Sequence, residues 1–253
     1  MLNEILTVNI FSFMMVFARI GTAISLIPGF NAPFVSARVR LLFTLAVAFV
    51  LTPTVAQVIP RMPAAPMDLF ILIVGEMIIG AFIGTVVRIL MGALQTAGTL
   101  ISYFSSMANA FVHDPISEQQ SATLSGLLGT MGLVLVFVTN LHHLLIQGMA
   151  ESYQLFTPGA KLMVGDVSDH LASSVMKSFE LGVKITAPFF IIGVSYYIGL
   201  GLLTRLMPQL QVFFIGLPVQ ISLQLYTLFI VLPTMMTIFL EHFRDSFAAV
   251  FFP

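Results

Sequence analysis

The chain has 253 residues, 58% hydrophobic and only 8% charged, with mean hydropathy +1.03 and net charge −1. A soluble domain carries about 25% charged residues, so this composition selects a membrane protein. The near-neutral charge offers no basic face for nucleic acid, and the absence of cysteine excludes disulfides, thiol catalysis, iron–sulfur clusters and cysteine zinc sites.

Tryptophan is also absent, which removes one half of the usual interfacial aromatic belt. The 24 Phe and 15 Met suit either irregular protein–protein packing or contact with lipid. The N-terminal Met1-Leu2-Asn3-Glu4 lacks a basic n-region and a small-residue cleavage site, so the first apolar run is expected to be retained.

That run covers about residues 5–27, holds Arg19, and ends at the turn signal Pro28-Gly29-Phe30-Asn31-Ala32-Pro33. Arg38 and Arg40 lead into a second run, 41–59, which the proline cluster Pro60, Pro63 and Pro66 closes. The third run, about 69–91, contains Glu76 and Arg88. Its Gly80-Ala81-Phe82-Ile83-Gly84 is a GxxxG pattern that permits close backbone approach. Arg88 falls on the Gly80/Gly84 face by four-residue spacing, which predicts that it enters the same tight contact.

From Gly98 to Gln120 the chain turns semi-polar, with Ser102, Ser105, Ser106, Asn109, His113 and Asp114 among Tyr103, Phe104, Met107 and Phe111. Asp114-Pro115 stops a helix at or before that point. Such a segment either re-enters the protein to line or block a cavity, or is a solvated connector behind a fraying helix end.

A fourth run, 124–149, is interrupted by Asn140, His142 and His143. Adjacent histidines point about 100° apart on a helix and so do not chelate one metal, which leaves capping or packing as their role. Thr157-Pro158-Gly159 breaks the chain again. Residues 161–177 are the most polar stretch, with Ser168 as the expected start of a helix. The fifth run, 179–206, holds Glu180, Lys184 and Pro188, and the sixth covers 212–240. Six candidate spans result. The distribution of Lys and Arg between the connections does not fix their orientation.

Arg19, Glu76, Arg88, Lys184 and Glu180 lie in apolar runs, where a charge costs from about 3 to more than 10 kcal/mol unless it faces protein or water. Two readings follow. The charges form an ion or proton path, or they pair within an assembly; Glu180 and Lys184, at i,i+4, can pair locally. No HExxH, phosphate loop, nucleophile elbow or paired carboxylates are visible, so no enzyme reading, cofactor or metal site is supported.

Between the last two runs lies Arg205-Leu-Met-Pro-Gln-Leu-Gln-Val-Phe-Phe-Ile-Gly-Leu-Pro218-Val-Gln220, with two prolines, a glycine and three glutamines in sixteen residues. Free backbone and amide groups need partners away from water, so the stretch belongs at an aqueous boundary or against protein.

These residues resemble the FliR family, the export-gate subunit of bacterial flagellar type III secretion, a group that includes the injectisome SctT proteins. The resemblance is carried by Arg19-Ile20-Gly21, Pro28-Gly29-Phe30, Asp114-Pro115, Asn140-Leu141-His142-His143, the run from Ser152 to Pro158-Gly159, and Lys184-Ile185-Thr186-Ala187-Pro188. The most specific block is Pro208-Gln209-Leu210-Gln211-Val212-Phe213-Phe214-Ile215-Gly216-Leu217-Pro218.

The resemblance implies an all-α, non-enzymatic subunit without cofactor. A FliP-like part, residues 1–170, is fused to a FliQ-like helical hairpin, 171–253, in one integrated domain. Its implied partners are several copies of FliP and FliQ, together with FlhB, FlhA, unfolded export substrates and membrane lipid. The loop at about 106–119 is implied as a pore plug, with Ser106, Met107, Ala108, Asn109, Ala110, Phe111, Val112, His113, Asp114 and Pro115 in it. The hairpin tip at about 205–220, with Arg205, Pro208, Gln209, Gln211, Phe213, Gly216 and Pro218, is implied at the cytoplasmic entrance. Arg19, Glu76, Gly80, Gly84, Arg88 and Lys184 are then buried charge and packing positions. The rival reading is a secondary transporter or channel using Arg19, Glu76, Arg88 and Lys184.

Overall fold

The structure, a computed structural model, describes residues 2–107, 123–160, 164–207 and 212–252. Among them there are seven helices and no strand: α1 (Leu2–Leu26), α2 (Ala37–Val55), α3 (Pro66–Phe104), α4 (Thr123–Val138), α5 (Leu141–Leu155), α6 (Val164–Leu206) and α7 (Val212–Phe251).

Their ends follow local chemistry. α1 stops before Pro28, and Gly29 takes the left-handed φ of 96° that only glycine adopts freely. The Ser36 hydroxyl accepts the Val39 N–H and caps α2. Pro66 opens α3, where its missing N–H costs nothing, and Asp68 follows in the positive first turn. Asn140, at φ 60°, separates α4 from α5. Gly159, at φ 83°, follows Pro158 beyond α5.

The helices depart from the six expected spans. Among the described residues four pass as candidate spans (α2, α3, α6 and α7), and the bent pair α4–α5 makes a fifth if it counts as one. The fourth apolar run is broken by the left-handed Asn140. α1 has 25 residues, and its stretch from Ile10 to Leu26 is apolar. α6 begins at Val164 rather than at Ser168, whose hydroxyl donates instead to the Gly165 carbonyl at 2.7 Å inside the first turn. Beyond Gly98 the third run continues helical to Phe104, with Ser102 and Ser105 donating back to carbonyls one turn earlier. The expected sixteen-residue tip is also shorter. Gly216 and Pro218 already lie within α7, and Pro218 and Pro233 sit on helix rather than in a turn.

With 39, 43 and 40 residues, α3, α6 and α7 are about 58–65 Å long at 1.5 Å per residue. A hydrocarbon core is about 30 Å thick, so each is about twice the length that crossing requires.

The chain packs as two compact units that interleave along the sequence. The first comprises Met1–Leu90, Val136–Val175 and Arg244–Pro253; the second, Met91–Leu135 and Met176–Phe243. In the first, Met15, Ile20, Ala23 and Ile24 of α1 are buried with Ile83, Val86 and Val87 of α3 and Tyr153 of α5. Gly148 admits the Phe247 ring, which comes within 2.5–2.7 Å of where a Cβ would stand.

In the second unit, α6 and α7 form an antiparallel hairpin. The Tyr196 hydroxyl donates to the Gly216 carbonyl, and the Gln224 amide donates to the Phe189 carbonyl at 3.2 Å. Gly182 brings α6 against the Ala93 carbonyl and Thr96 of α3, and Gly98 of α3 meets the Leu124–Ser125 backbone of α4.

Candidate functional site

The first unit is built around Arg19, which is 0% exposed. Its guanidinium forks onto Glu76, with Nε donating to Oε2 at 2.7 Å and Nη2 to Oε1 at 2.9 Å. Nη1 donates to the Ser152 carbonyl at 3.0 Å and to the Ser152 hydroxyl at 3.1 Å. Nη2 also donates to the Phe156 carbonyl at 2.8 Å. The five N–H groups of an arginine therefore all have acceptors. The Ser152 hydroxyl in turn donates to the Met149 carbonyl at 2.7 Å. The Tyr153 ring lies under the guanidinium, 3.8 Å from centroid to Cζ, a cation–π contact.

The positions have physical reasons. The Ser152 carbonyl, which also accepts the Phe156 N–H at 2.9 Å, and the carbonyl of the C-cap Phe156 sit at the negative end of α5, so a cation is favoured there. The bidentate fork onto Glu76 needs the planar geometry of arginine. α1 reaches α3 closely because Gly80 has no side chain. A Cβ there would collide with the Arg19 carbonyl and the Thr22 hydroxyl, and at Gly84 it would stand 2.6 Å from the Leu26 Cβ and 2.8 Å from the Ala23 carbonyl. The GxxxG pair thus brings Glu76 of α3 to Arg19 of α1.

In the second unit a polar cluster ends α3. Ser106 takes a left-handed φ of 57°. Its hydroxyl lies 2.9 Å from the Tyr197 hydroxyl and donates to Gln220 Oε1 at 3.2 Å. Gln220 Nε2 donates to the Phe104 carbonyl at 2.7 Å. Gln220 is 1% exposed, so its amide fastens the end of α3 to the hairpin from a buried position.

Two predicted positions are corrected. Arg88 is exposed rather than engaged in the Gly80/Gly84 contact, because each four-residue step overshoots a helical turn by about 40° and two steps rotate it off that face. Lys184 is not buried either: its side chain is 69% exposed and meets Glu180 at 2.6 Å on the same helix.

Ser106 and Met107 follow the end of α3, half-buried, while Ala108, Asn109, Ala110, Phe111, Val112, His113, Asp114 and Pro115 lie outside the described residues. Arg205 is exposed in the last turn of α6. Pro208, Gln209 and Gln211 lie outside the described residues, and Phe213 is on the first turn of α7. Gly216 is buried, with Leu200 and the Tyr196 hydroxyl 3.0–3.3 Å from a Cβ placed there, and Pro218 is exposed. His142 and His143 pack ring against ring at 4.2 Å, with His142 stacked on Phe137 at 5.3 Å.

The sequence reading missed Ser152, Tyr153 and Phe156 as partners of Arg19, and Gln220, Gln224 and Tyr197 as the polar face of the hairpin. Gln220 and Gln224 carried a usable signal, two amides one turn apart on an otherwise apolar helix.

Residues 10–246 match the family model described as "Bacterial export proteins, family 1". The flagellar biosynthetic protein FliR of Caulobacter vibrioides is 32% identical over 91% of this chain and 92% of its own length. FliR of Bacillus subtilis is 26% identical over 94% and 95%. The secretion system apparatus protein SsaT of Salmonella typhimurium is 27% identical over 64% and 63%. The chain therefore belongs to family 1 of the bacterial export proteins, the family of the FliR proteins of type III export.

Proposed function

We propose that this chain is a structural and gating subunit of a flagellar protein-export gate, forming with FliP-like and FliQ-like subunits the pore through which unfolded flagellar proteins leave. Family membership makes it a component of a type III export apparatus that works in a multi-protein assembly. Its apolar helices make it a multi-pass protein of the bacterial inner membrane. The flagellar assignment rests on its likeness to FliR proteins along nearly the whole chain.

The closed Arg19 site carries this reading over that of a transporter. A relay needs charged groups with an open donor or acceptor, and the Arg19 guanidinium has spent every N–H on fixed protein acceptors. Arg88 is exposed, and Lys184 is paired with Glu180 on its own helix. Arg19 and Glu76 are structural, and the subunit is not an enzyme.

The antiparallel α6–α7 hairpin supports the FliQ-like assignment, with its tip toward FlhB and the cytoplasmic entrance and FlhA in a neighbouring ring. The segment 106–119 is the plug. Ser106, held by Tyr197 and Gln220, is its anchored base. Substrate arrival displaces the segment from the lumen, an order–disorder switch.

Deleting 106–119 tests this. The assembled complex should form at the normal level but leak ions across the membrane; an unchanged leak in an assembled complex would remove the plug from the account.

A further inference from the structure

We propose that a groove between α1, α2 and α3 in the first unit holds one acyl chain of an anionic phospholipid, with its phosphate on Arg40. The proposal rests on these helices lying in the membrane. The groove has a volume of about 480 Å³, within the range of ligand sites. Its walls are made by Ala18, Gly21, Leu41, Ile73 and Met77. Of its three hydroxyl-bearing residues, Ser25 is exposed and the other two turn their hydroxyls onto their own helices. Thr22 donates to the Ala18 and Arg19 carbonyls, and Thr44 donates to the Arg40 carbonyl.

Its length favours an acyl chain. On α1 it runs from Met14 to Ser25, about 16 Å at 1.5 Å per residue, close to half of a hydrocarbon core about 30 Å thick. One leaflet has that depth.

Charge selects the headgroup. Arg40 lines the groove at the end where α2 begins, and its Nε donates to the Phe30 carbonyl at 2.9 Å. Its Nη groups meet no acceptor among the described residues, and charge-assisted bonds to phosphate are the strong use of such donors. Between Glu4 and Asp68 the sequence has no acidic residue but contains Arg19, Arg38, Arg40 and Arg61. Glu76, the carboxylate of α3 at this level, is already committed to Arg19.

The test is native mass spectrometry of the full-length chain with its co-assembled subunits, delipidated and then offered phosphatidylglycerol or phosphatidylcholine. The wild type should retain phosphatidylglycerol about tenfold better, a difference in binding free energy of about 1.4 kcal/mol. Arg40→Gln should abolish the preference, and Arg40→Lys should keep most of it. Gly21→Leu should lower retention of both lipids by filling the groove. Equal retention of the two lipids by the wild type overturns the proposal and needs no variant to fold. So does a preference that survives in Arg40→Gln, or a photo-crosslinker at Ala18 that captures a subunit helix in place of lipid. Lipid retention is measured without export, so failure here leaves the subunit assignment standing.

Discussion

Arg19 was legible in the sequence as an expensive charge in an apolar run, and Glu76 as another, but not as partners. They are 57 residues apart, and only the packing of α1 on α3 joins them. Phe156 was still less visible, because it contributes a carbonyl oxygen, which every residue has, and Ser152 adds only a hydroxyl to its carbonyl. Truncating either member of a buried, hydrogen-bonded ion pair costs about 3–5 kcal/mol, because the other charge is left without compensation. Arg19→Ala and Glu76→Ala should therefore each reduce the yield of folded, detergent-extracted protein severely. Arg19→Lys should restore little, since an ammonium cannot reproduce the planar fork.

Gly80 and Gly75 separate sterics from propensity. Alanine favours a helix over glycine by about 1 kcal/mol, and at Gly75 a Cβ meets nothing within 4 Å. Gly75→Ala should leave the thermal unfolding temperature unchanged or slightly raised. Gly80→Ala should lower it clearly, since its Cβ would collide with the Arg19 carbonyl and the Thr22 hydroxyl.

At the scale of the element, most helices were readable from apolar runs and proline or glycine breaks, while their lengths were not. Ser102 and Ser105 looked like the end of a helix but turn their hydroxyls onto its carbonyls, so α3 continues. Pro218 looked like a loop residue but sits early in α7. Gln220 is the side chain through which α7 holds the end of α3. Gln220→Ala leaves the Phe104 carbonyl without that donor, at a cost of about 1–3 kcal/mol. Proteolysis near residue 107 should accelerate in this variant. Lys184→Ala removes only an exposed pair that solvent screens, and should leave unfolding nearly unchanged.

At the scale of the molecule, composition placed the chain in the membrane, and the ordered motifs from Arg19 to Pro218 pointed to its family. Neither gave the two interleaved packing units, because contacts between residues distant in sequence leave no local signal. Three helices about twice as long as a bilayer core requires and many large apolar side chains left exposed describe a subunit with much surface to cover. A transporter would close its own fold around its charged path.

The most direct measurement is affinity purification of the tagged full-length chain from its native membrane. It should emerge in one stable complex with FliP-like and FliQ-like subunits, and cells lacking the chain should export no flagellar protein. Recovery of a monodisperse, stable chain free of those subunits, from cells whose export survives its deletion, would contradict the account.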